Sequence, residues 1–280
     1  MTHADTLPIS VVILTKDEED NLPGCIQSCV GLADIHVLDS GSTDTTAEIA
    51  TAHGAQVWVN PFESFGAQRN WAIDNIDTKY KWILHLEADE HLTSELLSEL
   101  KSVIESDPSD AGFYIPSKLM FMNRWLKRCG GYPNYQMRLF HRERMRFHDH
   151  GHGQRELTDG TIGTFREGYL HYAFSKGVAN WIAKHNIYSS QEVAQVLKDN
   201  QGVKAKDLLS LNRITRRRAM KQLSFRLPMR GTLRMVQILI LQRGMLDGKA
   251  GFMYARLMSI YERMIEIKYR MQRRGSSEGL

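Results

Sequence analysis

Three carboxylates stand within four positions at the end of KWILHLEADE, residues 81–90: Glu87, Asp89 and Glu90. Like charges this close are unfavourable unless solvent, a cation or cationic side chains neutralise them. Ahead of them Trp82, Ile83, Leu84 and Leu86 form a short apolar run that fits an interior strand of a parallel sheet covered on both faces. Two acids separated by one residue just past such a strand offer oxygen ligands to Mg²⁺ or Mn²⁺, with a phosphate-bearing substrate completing the shell. Acidic loops at strand ends are also common without any ligand, so the pattern alone leaves both readings open.

The elements that must position these acids follow from the flanking sequence. ISVVILT (Ile9–Thr15) reads as a first strand, followed by polar KDEED and a helix carrying Leu22, Ile26 and Val30. IHVLDSG (Ile35–Gly41) reads as a second strand and TTAEIATAHG as a helix, with Thr45 and Glu48 at capping-box spacing and Gly54 as its stop. AQVWVN and KWILHLEAD supply the third and fourth strands. This alternation predicts an α/β fold, an open and mainly parallel sheet flanked by helices, with ligands at the carboxyl ends of the strands. Asp39, Glu87 and Asp89 then gather on one rim, joined by the loop from Thr15 to Glu19.

From Ala111 to Phe174 the pattern is irregular and rich in aromatics, Arg and His, with GFYIPSKLMF as one more strand; it reads as substrate-facing. A helix is expected over Ser175–Leu197, then basic amphipathic segments to Arg274, and RRGSSEGL as a frayed end. In the last segment Met253, Leu257, Ile260, Met264, Ile267 and Met271 recur at helical spacing, a seam that must lie against something. The expected organisation is a nucleotide-binding half over 1–110, an acceptor-facing region of the same domain over 111–200, and a basic helical region over 201–280.

With 42% hydrophobic and 24% charged residues in 280, the chain has ordinary globular composition. Cys25, Cys29 and Cys129 form no CxxC pair and suit reduced thiols in a cytosolic protein. The N-terminus lacks the features of a secretory signal and no apolar run is long enough to span a bilayer, so the chain is expected to stay inside the cell. Residues 201–280 hold 18 basic against 5 acidic residues, and the remainder 18 against 27. That basic region suits an anionic partner, although a solvated basic face needs none.

Four segments in order, PISVVILTKDEEDNLPGCIQS, VLDSGSTDTTAEIA, FGAQRNWAID and WILHLEADE, resemble the nucleotide-sugar-binding half of glycosyltransferase family 2, which has a GT-A fold. YPNYQMRLF, YLHYAFSKGVANWIAKHNIYSSQE and GMLDGKAGFMYARL are similar to the branch containing lipopolysaccharide-core β-glucosyltransferases and exopolysaccharide transferases. The resemblance covers about residues 8–265. It implies an inverting, Mg²⁺- or Mn²⁺-dependent transfer from a nucleotide sugar, UDP-hexose being expected, to a glycolipid or polysaccharide acceptor.

Position by position, the resemblance implies that Thr15, Asp17 and Glu18 line the nucleotide, and that Asp39, with Ser40 beside it, meets the base. An Asx-turn with Ser40 and Gly41 is the structural alternative for Asp39. Arg69 is implied at the diphosphate, against an exposed helix arginine, and Asn70 at the sugar. Glu87 stands where the family has Asp, which makes Asp89 the better metal ligand; Glu90 begins the next loop or meets sugar hydroxyls. His171 is a further ligand by family analogy, with a core role as the alternative. Arg138 reaches the diphosphate or acceptor, or forms a structural salt bridge. An inverting transfer needs a base for the acceptor hydroxyl. Glu156 is the first candidate and Asp149 the second; relatives carry a His-Glu pair where this chain has Arg155-Glu156.

His148, His150 and His152 alternate in HDHGHG, so a strand would point them one way and could build a metal site, whereas the glycines allow a loop equally well. The basic region admits an amphipathic surface on an anionic membrane leaflet, at the inner face of the cytoplasmic membrane. It also admits a packing element covering the catalytic domain or a second subunit. RITRRRAMK has the charge for nucleic acid but no reading motif, so no nucleic-acid partner is expected. Rival functions are a nucleotidyltransferase, disfavoured by acidic TKDEED where a glycine-rich basic loop belongs, and a sugar-nucleotide-binding scaffold without turnover.

Overall fold

The computed structural model describes residues 6–150, 153–198 and 229–275, with positions 210, 212, 215, 216, 219 and 225. The chain divides into two compact units, one of residues 1–120 with 132–175 and one of residues 121–131 with 176–280. The first is built on β1 (Ile9–Thr15), β2 (Asp34–Asp39), β3 (Gln56–Val59) and β4 (Trp82–Glu87), which run parallel in the order β3-β2-β1-β4. Helices α1 (Leu22–Ser28), α2 (Thr46–Ala52) and α3 (Phe65–Asn75) lie between them in sequence; β5 (Glu90–His91) and α4 (Ser94–Glu105) follow β4. The α/β fold with a mainly parallel sheet is as expected.

Alternate residues of β1 face opposite ways. Ile9, Val11 and Ile13 join Leu22, Cys25 and Ile26 of α1 with Leu96, Leu100 and Ile104 of α4, whereas Val12 joins Ala72 and Ile73 of α3 with Phe140 and Phe147. Covering both faces is what makes these strands continuous apolar runs. Registers of Thr15 opposite Asp39 and Leu14 opposite Glu87 bring the three strand ends level, on one rim.

Within residues 111–174 the strand expected at GFYIPSKLMF forms as β6 (Gly112–Phe121), but the remainder, read as irregular, holds further strands: β8 (Asn134–His141), β11 (Ile162–Thr164) and β12 (Tyr169–His171), with a two-stranded sheet of β9 (Arg146–His150) and β10 (Gly153–Leu157). β7 (Arg124–Trp125) lies between β6 and β8 in sequence. Beyond β4 the sheet continues β8-β6-β12-β5, with antiparallel pairings at β4/β8, β6/β8 and β12/β5. Polar and charged residues within these short strands hide the period that would announce them. His148 and His150 lie on β9, an extended strand; His152 falls outside the described residues.

Two helix expectations are corrected. Helix α1 stops at Ser28, where the Cys29 N–H turns back to the Ile26 carbonyl (3.0 Å), so Val30 lies beyond the helix and is exposed. The Thr45/Glu48 capping box does not form. Thr45 Oγ1 donates to Glu19 Oε2 (2.7 Å), and the Asp44 carboxylate accepts the Thr46 N–H (3.0 Å), because this turn is knitted to the loop after β1. Gly54 does end α2, at a φ of 79°.

The second unit contains α5 (Gly177–Lys198), α6 (Arg230–Val236), a π-helical turn (Gln237–Leu241), a 3₁₀ turn (Gly244–Asp247) and α7 (Gly248–Gly275). Val193 and Ile265 pack with Phe225, flanked by Tyr261 and Tyr269. The Met253–Met271 seam is corrected by burial: Leu257 is covered, but Met253, Ile260, Ile267 and Met271 are exposed. Helix α7 instead turns Ala255, Ser259 and Ile265 inward. The spacing was right for a helix and said nothing about which stripe α5 and α6 would cover.

Deep in the first unit, Trp58 Nε1 donates to His36 Nδ1 (3.2 Å), and His36 Nε2 lies 3.2 Å from Asp34 Oδ1. Ser10 Oγ and the Lys79 N–H (2.8 Å) also donate to Asp34. Burial would raise the Asp34 carboxyl, but the Ser10 and Lys79 hydrogen bonds with His36 hold it below its ordinary value. A depressed folded pKa stabilises above the unfolded value and loses that contribution as pH falls through the folded one. Asp34→Ala is therefore expected to cost about 2 kcal/mol at neutral pH. In urea titrations the gap to the parent should narrow below about pH 4; a gap constant with pH would show that the carboxylate's charge contributes nothing.

Candidate active site

The rim is built from two loops tied to each other. Thr15 Oγ1 donates to Asp39 Oδ1 (2.9 Å), and Asp39 Oδ2 accepts the N–H groups of Gly41 (2.9 Å) and Ser42 (2.7 Å) while the Ser42 hydroxyl donates to Oδ1. Asp39 is thus buried in an Asx-type turn with both oxygens engaged. Asp17, at a φ of 53°, accepts the Thr43 N–H (2.7 Å), a bond that lowers its pKa, and its own N–H reaches Ser42 Oγ (2.8 Å). The Glu18 N–H donates to Thr46 Oγ1 (2.8 Å), and its carboxylate accepts from Asn21 (2.6 Å). The Ser40 hydroxyl accepts from Gln68 Nε2 (3.2 Å).

Helix α3 starts under this rim. Ser64 caps it by accepting the Ala67 N–H (3.1 Å), and Asp149 from β9 accepts both the Ser64 hydroxyl (2.8 Å) and the Gly66 N–H (3.1 Å). A Cβ at Gly66 would stand 2.8 Å from Asp149 Oδ1, so any side chain there would push that carboxylate off the helix start. Gln68 and Arg69 precede Ala72 and Ile73 by four residues and share their buried stripe. Gln68 bridges to Asn60 and Ser40; sequence reading passed over it, although a polar residue in a buried helical stripe is a visible signal. Asn70 exchanges two hydrogen bonds with the Phe147 backbone (2.8 and 3.0 Å), which commits its amide to β9.

Arg69 is 2% exposed, so the exposed-helix alternative falls. Its Nε donates to Gln154 Oε1 (2.8 Å), its guanidinium lies 5.6 Å from the Phe147 ring centre, and its Nη1 is buried without a hydrogen-bond partner. Burial, and then the like charge of Arg138, push its pKa down to about 10, which leaves it cationic at neutral pH. Period-two alternation puts His85 on the same face of β4 as Glu87. His85 has no partner at either ring nitrogen, and burial with Arg69 and Arg138 nearby holds it neutral, well below its ordinary pKa.

The opening acids divide into two groups. Arg138 of β8 donates through Nη2 to Glu87 Oε1 (2.7 Å) and Glu90 Oε1 (2.6 Å), and lies over Tyr169. Glu90 is wholly buried and accepts the Glu87 N–H through Oε2 (3.1 Å); it does not open a surface loop. Burial would lower the Arg138 pKa, but Glu90, Tyr169 and Glu87 raise it well above its ordinary value. Burial likewise works to raise Glu87, yet Arg138 draws it below the usual range. Asp89 Oδ2 instead lies 3.4 Å from His171 Nε2. Burial would lower His171; its hydrogen bond to Asp89 and the charges of Asp89, Glu90 and Glu87 lift it to about 8.

Among the described residues no three His, Cys, Asp or Glu side chains converge as a ready metal cage. The donor set nonetheless fits a divalent ion that arrives with a diphosphate, because such an ion needs only one or two protein ligands. Asp89 and His171 stand side by side and partly exposed; Glu87 is about one third exposed as well but, like buried Glu90, is held by Arg138.

Glu156 lies on β10 two residues from Gln154, hence on the same face as the partner of Arg69. It accepts a hydrogen bond from the Tyr114 side chain; burial first, then the Glu156 charge, pushes the Tyr114 hydroxyl up to about 12. Sequence reading missed Tyr114, since its partner comes from a distant strand. The structure therefore brings Thr15, Asp17, Glu18, Asp39 and Ser40 together in one loop pair, Glu87, Glu90 and Arg138 in one ion cluster, and Asp89 with His171. Asp149 and Asn70 hold α3 to β9, and Glu156, with its Tyr114 partner, lies opposite Phe147 on the neighbouring β10.

The sequence profile described as Glycosyl transferase family 2 matches residues 10–165. An uncharacterized glycosyltransferase of Rickettsia bellii is 30% identical over 213 residues, 72% of this chain and 71% of its own length. LpsC of Rhizobium meliloti, a lipopolysaccharide core biosynthesis glycosyltransferase, is 24% identical over 70% of this chain and 74% of its own. Among solved structures, TarS 1–349 of S. aureus in complex with UDP aligns over 96% of this chain and 92% of its own at 12% identity and a TM-score of 0.43.

Proposed function

Because the chain belongs to glycosyl transferase family 2, we propose that it moves a sugar from a nucleotide-sugar donor, UDP-hexose being the expected one, to a lipopolysaccharide-core or related cell-envelope glycan or glycolipid, with inversion at the anomeric carbon. The observation that carries this reading is the division of the rim acids. Arg138 binds Glu87 and Glu90, whereas Asp89 stands beside His171, a carboxylate–imidazole pair with the donor chemistry a divalent ion takes. The relative named for lipopolysaccharide core biosynthesis supports the acceptor class.

In this reading Thr15, Asp17, Glu18, Asp39 and Ser40 form the nucleotide pocket, with Asp39 fixing the loop that closes on the base. Arg69 Nη1, a buried donor without a partner, is the group left to meet the diphosphate. Asp89, with His171, would hold Mg²⁺ or Mn²⁺, which supplies positive charge against the leaving diphosphate. Glu156 takes the proton of the acceptor hydroxyl as that oxygen bonds to the anomeric carbon and the bond to the diphosphate breaks. Tyr114, donating to Glu156, orients that carboxylate.

Incubation with radiolabelled nucleotide sugars, with and without Mn²⁺ and envelope extract, tests the reaction. Metal-dependent release of nucleoside diphosphate with labelled acceptor is expected. Release of sugar 1-phosphate would instead mark transfer of the nucleotidyl group, and donor binding without turnover a scaffold. Glu156→Gln is expected to keep donor affinity and lose about a hundredfold in transfer rate; normal transfer by that variant would move the base elsewhere, with Asp149 next to be replaced.

A further inference from the structure

In the second unit a cavity of about 370 Å³ is lined by Arg124, Trp125, Lys127, Arg128, Leu246 and Asp247. The three cations are exposed, and Lys127 Nζ lies 4.8 Å from the Trp125 ring centre. The single acid is buried: Asp247 Oδ2 accepts the N–H groups of Arg128 and Cys129 (both 2.9 Å) and the Cys129 thiol (3.0 Å). The pocket therefore keeps a surplus of positive charge, at side chains able to turn toward a ligand.

Its wall continues into an apolar knuckle. Ile240 and Leu241 end the π-helical turn and Met245 and Leu246 lie on the 3₁₀ turn, and these four are 59–77% exposed. Exposed Arg243 and Lys249 flank them. Between Met229 and Arg256, Asp247 is the only acidic residue, against basic Arg230, Arg234, Arg243, Lys249 and Arg256. Apolar side chains of this size presented to solvent mark a surface with a partner. Arg230 is buried and paired with Glu262 (2.6 Å), so the cations that count are the exposed Arg243, Lys249 and Arg256. Their combination with the apolar tips matches a bilayer interface, where acyl chains take the apolar groups and anionic headgroups the basic ones. Among the described residues no helix is long and apolar enough to cross a membrane, so contact through this knuckle is interfacial.

We infer that the second unit docks on an anionic lipid leaflet, inserting Ile240, Leu241, Met245 and Leu246 at the headgroup boundary and receiving a phosphate-bearing headgroup among Arg124, Lys127 and Arg128. This goes beyond the proposed function by naming the surface and the lipid chemistry that would bring the chain to a glycolipid acceptor, and it requires neither the donor site nor turnover.

Flotation of the full chain with phosphatidylcholine vesicles, with and without phosphatidylglycerol, tests it without any sugar nucleotide. Binding to the phosphatidylglycerol vesicles that weakens with salt is expected. The triple variant Arg124→Gln, Lys127→Gln, Arg128→Gln should weaken partitioning on the order of a hundredfold, whereas Arg128→Lys should bind as the parent does. Leu241→Ser with Leu246→Ser should lose binding while donor hydrolysis persists, which separates this surface from the catalytic reading. Equal flotation with neutral vesicles, or retention by the triple variant, overturns the proposal. So does self-association that the Leu241/Leu246 variant abolishes in a chain indifferent to vesicles, since a second copy would then cover the knuckle. Binding of inorganic diphosphate without vesicle binding overturns it as well.

Discussion

Replacing Asp89 with alanine is expected to lower metal-dependent sugar transfer by about a thousandfold or more, because a divalent ion on the leaving diphosphate contributes several kcal/mol to the transition state. The effect should be far larger than that of Glu87→Gln, although Glu87 is the first acid of the same motif. Glu87 already shares Arg138 Nη2 with Glu90, so a cation approaching it meets a carboxylate whose charge is compensated. Asp89 faces His171, whose proton a metal can replace at the same position. Initial rates against Mn²⁺ concentration, with donor affinity measured by calorimetry, separate the two acids. Asp89→Ala should lose the metal dependence of donor binding, and Glu87→Gln should retain it. The reverse result would place the ion on Glu87 and would require Arg138 to release it. Loss of both dependences would instead spread the ion over the pair.

Which parts of this arrangement the sequence discloses depends on how local their causes are. Strands β1 to β4 are legible because both faces are covered, which forces uninterrupted apolar runs, and their parallel order puts Asp39 and Glu87 on one rim without further information. The buried position of Arg69 was also within reach, since it lies four residues before Ile73 on the stripe of α3 that carries Ala72 and Ile73. Glu90 is different. An acid just past a strand reads as exposed, and its burial depends on Arg138, 48 residues on and three strands along the sheet. Asp149 and Asn70 were legible as polar residues near the site, yet both are spent on joining α3 to β9, a contact between elements separated by some seventy to eighty residues. The methionine seam of α7 shows the same limit in a helix: a period identifies a face, and only the neighbouring helices decide whether that face is covered.

Arg138→Met is expected to destabilise the first unit by about 3–5 kcal/mol, since it removes the cation from a carboxylate that has no access to water. Glu90 is fully buried, and its pKa already lies above the ordinary value because burial outweighs the attraction of Arg138. Without Arg138 the variant can regain stability by protonating Glu90. A carboxyl with a raised folded pKa favours the folded state as pH falls toward the unfolded value near 4, so the variant's deficit should shrink on acidification. Urea unfolding at several pH values reads both effects. Adding Glu90→Gln to Arg138→Met removes the buried charge as well, and the double variant should recover most of the loss, because replacing both members of a buried pair is close to neutral. Recovery by Glu90→Gln but not by Glu87→Gln would assign the cost to the buried acid, in keeping with Glu87 being about one third exposed. A single variant within about 1 kcal/mol of the parent would mean that Arg138 is not the counter-ion of Glu90. Arg138 would then be available for the diphosphate, and the partition of the rim acids that singles out Asp89 would have to be abandoned.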